Sequence, residues 1–178
     1  SIDESNLYVL EILAELGLVY DSSIFPIKLK RYGIANFGRR DMLYDLPGGK
    51  QIVELPLTVG EVNGKTVPVA GGGYIRAFPQ FFLSKVFKKL NESQQDVMLY
   101  MHPYEFDTQR IDASTNYPPD QSYSKAKTFL INLRWNLFRN SIRGKLKTLL
   151  TKYEFITCLK KAEYVKSYSH SPAVLGRT

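Results

Sequence analysis

Leu13-Ala14-Glu15-Leu16-Gly17-Leu18-Val19-Tyr20-Asp21-Ser22-Ser23 is the stretch on which the fold turns. Leu7, Leu10, Leu13 and Leu16 step by three, and Val9 and Ala14 widen the apolar face, so a helix is predicted over residues 3–16. Ser1 and Glu4 have capping-box spacing, and Gly17 stands where a helix C-cap favours positive φ. Leu18-Val19-Tyr20 is short, apolar and β-prone, a buried-strand candidate closed by Asp21-Ser22-Ser23. Helix, glycine, strand and polar terminus make half of a βαβ unit, which points to an α/β fold.

The rest of the chain fits that class. Residues 24–50 read as irregular, with Pro26, Gly33, Gly38 and a Pro47-Gly48-Gly49 turn, and with Lys28, Lys30, Arg31 and Arg39 as a basic cluster. Val53, Leu55, Leu57 and Val59 alternate, Asn63-Gly64 is a hairpin turn, and Val67 and Val69 alternate on the return. Pro56 and Pro68 lack ladder donors, which places this hairpin at a sheet edge or outside the main sheet. A second helix is predicted over 79–91, with Phe82, Val86 and Leu90 on one face beside Phe81 and Phe87. Val97-Met98-Leu99-Tyr100-Met101 is an unbroken apolar run, the pattern of a strand buried on both faces. A polar loop over 107–124 holds Pro118-Pro119, two basic helices follow at 124–138 and 141–152, and Phe155 to Leu159 reads as a last strand. The tail from Ser167 is expected to be loose.

The chain has 178 residues, 44% hydrophobic and 23% charged, which suits one folded domain and excludes wholesale disorder. No window approaches a membrane-spanning run. The lone Cys158 allows no internal disulfide and suits either the cytoplasm or the periplasm, and His102 and His170 cannot build a metal site alone. Net charge is +7, but residues 1–124 carry 12 Lys/Arg against 15 Asp/Glu, while residues 125–178 carry 12 against 2. That basic segment reads either as helices with solvated faces or as a surface for an anionic polymer or lipid. No aromatic–basic interleaving of an RNA-binding sheet occurs, so no nucleic-acid partner is expected.

Two predicted strands end in residues with catalytic chemistry: Asp21, and His102 with Tyr104 and Glu105 close behind. In α/β folds such residues gather at the C-terminal rim of the strands. A carboxylate accepting from one imidazole nitrogen leaves the other to donate a proton. The alternative is a histidine that caps its strand and bonds a backbone carbonyl. Gly71-Gly72-Gly73 matches neither GxGxxG nor a P-loop, and no helix is predicted directly behind it. It reads as a wide turn or bulge with positive φ, or as a close backbone approach to a ligand that Arg76 would help to bind. Ser22 lacks a GxSxG context, which argues against a serine hydrolase. Trp135, with Arg134 and Arg139, reads as helix packing plus surface charge.

Several of these pieces form one ordered set. Leu16 to Pro26, Arg31-Tyr32-Gly33-Ile34, Glu54-Leu55-Pro56-Leu57, Ala70 to Arg76 and Tyr100 to Asp107 together resemble the C-terminal part of NodB-type polysaccharide deacetylases. The branch most similar occurs in bacterial exopolysaccharide synthesis clusters, and the similarity runs from Ser1 to about Leu159. The resemblance implies the C-terminal portion of an irregular (β/α) barrel over 1–106, with an edge hairpin, and a basic helical extension over 107–178. It implies hydrolysis of N-acetyl groups on a sugar polymer, with a divalent metal, usually zinc, in the complete enzyme. It makes His102 the general acid and Leu99 a lining of the acetyl pocket. Asp21 resembles the aspartate that orients this histidine, although the Trp often found beside it is missing. Gly71, Gly72, Gly73, Tyr74, Arg76, Tyr104 and Glu105 become substrate-binding candidates.

The family's first three motifs, which supply its metal ligands and base, are missing: the chain has no Asp-Asp pair and no HxxxH spacing. Zinc catalysis needs three protein ligands and an open position, so no catalytic zinc is expected in this chain alone. With Ser1-Ile2 at the end of the third motif and no Met start, the expectation is a C-terminal part whose partner is the N-terminal part of the same polypeptide. Two other readings stand beside a deacetylase fragment. One is a non-catalytic carbohydrate- or partner-binding module on the same scaffold. The other is a basic protein for nucleic acid or membrane surfaces, whose binding would weaken steeply with salt.

Overall fold

The computed structural model describes residues 2–29, 32–112, 124–169 and 172–174. Ser1, Lys30, Arg31, the Pro118-Pro119 part of the polar loop and His170 lie outside the described residues. The architecture is mixed α/β, with a four-stranded sheet, a separate two-stranded sheet and six α-helices among the described residues; these form no closed barrel.

The first helix, α1, covers only Val9–Glu15 rather than 3–16. Asp3 Oδ1 accepts from the Ser5 N–H at 2.9 Å and from Ser5 Oγ at 2.6 Å. That local bonding offers the backbone an alternative to the helix, so 3–8 stays in turns. The C-terminal expectation holds: Gly17 has φ +84°, and the Leu18 N–H closes the helix on the Leu13 carbonyl at 3.0 Å.

The first strand, β1 (Tyr20–Asp21), corrects the buried strand expected at Leu18–Tyr20. Leu18 and Val19 are exposed, and β1 is an edge strand in the order β1-β3-β2-β6. The stretch expected to be irregular contains β2 (Met42–Leu46), which pairs antiparallel with β3 (Lys50–Glu54). Pro47-Gly48-Gly49 is their turn, with Gly48 and Gly49 at φ +72° and +71°. Leu43, Val53 and Leu55 on one side and Tyr44, Leu46 and Ile52 on the other enter two separate buried clusters, so the sheet is covered on both faces. β1 runs parallel to β3, with Tyr20 opposite Val53 and Asp21 opposite Glu54.

The second hairpin is β4 (Val59–Val62) and β5 (Lys65–Pro68), turning at Asn63 and Gly64, both with positive φ. It lies outside the main sheet, in agreement with its prolines, and Val53 belongs instead to β3. Two helices follow, α2 (Gly72–Ala77) and α3 (Gln80–Glu92). The α3 face is centred on Leu83, Val86, Phe87 and Leu90, whereas Phe81 is exposed.

Residues 97–101 do not form the expected strand. Their ladder contact is a single parallel bridge between Tyr100 and Gly71. The segment still alternates: Val97 and Leu99 pack towards α3, while Met98 packs towards the main sheet. Basic helices α4 (Lys125–Asn136) and α5 (Ile142–Lys152) stand where expected. The last strand expected at 155–159 is corrected to an exposed loop entering α6 (Cys158–Tyr168). Thr157 Oγ1 caps α6 by accepting the Lys160 N–H at 3.2 Å, and Ala162 and Val165 pack on the sheet. The tail is not loose throughout: Ser167 and Tyr168 are helical, and β6 (Ala173–Val174) pairs with β2.

Candidate functional site

The glycine run is built for contact within the chain. None of Gly71, Gly72 and Gly73 has positive φ, which corrects the wide-turn reading, and α2 opens at Gly72, which corrects the expectation of no helix there. A Cβ on Gly71 would stand 2.6 Å from the Tyr100 hydroxyl, and one on Gly72 would overlap the Glu105 carboxylate. The backbone fixes this approach: the Tyr100 N–H donates to the Ala70 carbonyl at 3.2 Å and the Gly72 N–H to the Tyr100 carbonyl at 3.0 Å. The missing side chains therefore make room for Tyr100 and Glu105.

Glu105 is fully buried, and its Oε2 accepts the His102 N–H at 3.2 Å. That is the reach-back half of a capping box at the short 3₁₀ turn Pro103–Glu105. His102 itself is exposed. Its ring lies edge-on to Tyr100 at 5.8 Å and stacks on Tyr104 at 5.5 Å. Among the described residues no backbone carbonyl accepts from the imidazole, so the carbonyl-bonded strand cap is not what this histidine forms; its side chain belongs to the capping box with Glu105.

The aromatic wall continues from Tyr100. Burial and the neighbouring Tyr32 phenol push the Tyr74 hydroxyl up to about 12, with Tyr100 adding to the effect. Phe25 stacks on Tyr32 at 6.2 Å and meets Tyr74 at 6.3 Å. Tyr32, Tyr74, Tyr100, His102 and Tyr104 thus form one run of neighbouring rings, with Gly71 against Tyr100. Ring faces flanked by phenol hydroxyls suit a ligand with both C–H and O–H groups, such as a sugar ring.

Other candidates lie elsewhere. Asp21 accepts from the Ser23 N–H at 2.8 Å and from Ser23 Oγ at 3.0 Å, and it faces Glu54; no hydrogen bond joins it to His102 among the described residues. Leu99 packs among the helices and lines a cavity of about 230 Å³ with Phe87, Leu149, Tyr153 and Lys161. Arg76 is buried, and its guanidinium donates to the Trp135 and Arg134 carbonyls at 2.9 and 3.0 Å. It joins α2 to the end of α4 rather than standing free for a ligand.

Three residues to which the sequence reading gave no site role matter here, and one of them, Arg139, is corrected from surface charge to a buried anchor. Arg139, buried, donates to the Tyr104 carbonyl at 2.7 and 3.0 Å and to the Gln109 carbonyl at 2.7 Å, fixing the chain behind His102. Lys145 caps the end of α2 through the Ile75, Arg76 and Phe78 carbonyls at 3.1, 2.8 and 2.7 Å, and burial lowers its pKa. Part of the basic segment is therefore internal fastening. Glu54 is fully buried, and a lone Glu inside Ile52-Val53-Glu54-Leu55 was its available signal. Its pKa is pushed up to about 9, first by burial and then by Asp21.

The zinc that the resemblance implies finds no fit: no group of three or more His, Cys, Asp or Glu among the described residues could hold a metal ion. Among the described residues, no helix is long and apolar enough to cross a membrane. Comparison with curated proteins finds no match, and comparison with solved structures finds none. A family model described as "Domain of unknown function (DUF3473)" matches residues 22–163, most of the chain and across both its basic and its acidic part, and the chain belongs to that family.

Proposed function

We propose that the chain is the C-terminal region of a metal-dependent deacetylase acting on an N-acetylated exopolysaccharide, with residues 1–106 as part of an irregular (β/α) barrel and 107–178 as its extension. The observation that carries this reading is the mount of His102: an exposed imidazole stacked on Tyr104 and edge-on to Tyr100, on a backbone N–H held by Glu105. Cleaving the amide with water frees an amine that needs a proton. An imidazolium at the sugar-facing wall supplies it and returns to neutral imidazole. In this reading Tyr74, Tyr100 and Tyr104 stack on or bond the sugar, and Gly71 makes room for the Tyr100 ring. The orientation of His102 rests on Glu105 and the two tyrosines, and Asp21 acts through its own partners. The metal ligands come from a segment outside this chain, and no step is assigned to them.

A second reading, a non-catalytic carbohydrate-binding module, is favoured by the aromatic wall itself, because stacking needs no metal. An NMR titration of the chain with an N-acetylated amino-sugar oligosaccharide tests what the two readings share. Shifts confined to Gly71, Tyr100, His102 and Tyr104 support both, and no shifts at saturating sugar contradict both. Acetate release by the polypeptide that also carries the metal-ligating segment separates them.

A further inference from the structure

Asp21 and Glu54 are direct partners in the parallel β1–β3 register. Glu54 is fully enclosed, at 0% exposure. Its Oε1 accepts the Ile24 N–H at 3.2 Å, and among the described residues its Oε2 has no hydrogen-bond partner. The Asp21 carboxylate is half-buried and holds Ser23 through both its oxygens. A carboxylate with one bare oxygen in an apolar interior is strongly unfavourable. Two adjacent carboxylates make it worse, because like charges cannot both persist at close range.

One proton resolves both problems. We propose that Glu54 and Asp21 form a single proton-sharing carboxyl pair, in which Glu54 is the residue that positions Asp21. The Oε2–H of neutral Glu54 donates to the Asp21 carboxylate, which turns the bare oxygen into a donor and leaves one negative charge on the pair. Glu54 is itself anchored by the Ile24 amide, so it sets where Asp21 can point. The pair stands where parallel β1 and β3 end, the rim at which α/β sheets collect their ligands.

The charges around the pair act in the same direction. Asp21 on β1 and Asp41, just before β2, both disfavour a charged Glu54, and only the Ile24 amide opposes them. Lys161 of α6 is held by Asp96 at 2.6 Å and Asp41 at 3.4 Å. Tyr44 on β2 is pushed up to about 12 by burial, with Glu54 adding to it. The proposal does not rest on the deacetylase reading, since it concerns a proton inside this chain.

A site-resolved carbon NMR titration of the carboxyl groups in the full chain tests it. The Glu54 carboxyl should keep its protonated position through neutral pH and move only in alkaline solution. Asp21→Asn should lower its midpoint by about one unit or more, because the like charge is gone. Glu54→Gln keeps a donor for Asp21, so the Ser23 amide resonance should stay near its wild-type position. Titration of wild-type Glu54 in the ordinary carboxylate range overturns the proposal, whether or not either variant folds. An unmoved midpoint in Asp21→Asn, or a displaced Ser23 resonance in Glu54→Gln, overturns it as well.

Discussion

Glu105, buried against Gly72, holds the backbone N–H of exposed His102 at 3.2 Å. A buried acid thus fixes the backbone that carries a surface imidazole. Glu105→Ala removes that acceptor and opens a void beside Gly72. We expect a loss of about 1–3 kcal/mol, the scale of a hydrogen bond withdrawn from a buried group. Chemical denaturation checks the loss, and a broadened His102 ring signal checks the lost mount.

Gly72 and Gly73 are adjacent but should respond in opposite ways. A Cβ at Gly72 overlaps the Glu105 carboxylate, whereas one at Gly73 meets its nearest atom, Glu105 Oε1, at an ordinary 3.8 Å. Gly72→Ala should destabilise by about 1–3 kcal/mol through overpacking. Gly73→Ala should be neutral or gain up to about 1 kcal/mol, since alanine favours a helix. Paired melting curves check the contrast, and equal effects would show that Glu105 does not occupy this space.

Arg76→Lys tests whether the basic extension is fastened from within. A lysine cannot reproduce the fork that bonds the Trp135 and Arg134 carbonyls. The change should cost about 2–3 kcal/mol, the scale of hydrogen bonds made by a charged group. Amide exchange should rise first at the end of α4. Unchanged exchange there, with sugar binding lost, would return Arg76 to a ligand-binding role.

The raised Glu54 pKa has a definite sign in stability. The folded chain holds this proton up to about 9, whereas an unfolded glutamate releases it near 4.5. Between those values the native state binds more protons, so this contribution to stability is complete below 4.5 and falls as pH rises through 9. Melting temperature should therefore decline from mildly acid to alkaline pH, and Glu54→Gln should flatten that decline. Parallel pH profiles for the two proteins would contradict the assignment.

How far the sequence carried this fold depended on local signals. Gly17 and Asn63-Gly64 set their own backbone geometry, so the helix stop and the hairpin were legible. The basic helices α4 and α5 carried their own periodicity. Residues 42–46 were missed because Pro47-Gly48-Gly49 reads as a turn within an irregular stretch, and its role in joining two strands shows only in their pairing. Val97–Met101 has the pattern of a strand, and it does alternate between two packing surfaces. Its ladder is the one bridge at Gly71, and partner count is a tertiary property. Phe155-Ile156 looked β-prone, but the Thr157 cap starts a helix directly behind it.

Within the site, His102, Tyr104, Glu105 and the glycines were legible as a group, because each stands beside the others in two short segments. Tyr32, beside Tyr74, and the buried Phe25 that stacks on it come from a distant loop. Glu54 was hidden for another reason: its consequence depends on Asp21, thirty-three positions earlier and joined to it only by strand register.

Acetate release from an N-acetylated exopolysaccharide, by the polypeptide that carries this chain together with its metal-ligating segment, tests the central claim most directly. The wild type should release acetate, and His102→Ala should lower kcat by about 10²–10⁴-fold while leaving sugar binding and melting temperature close to wild type, as expected when an exposed proton donor is removed. No acetate from the wild type, or equal rates for both proteins, would contradict the account.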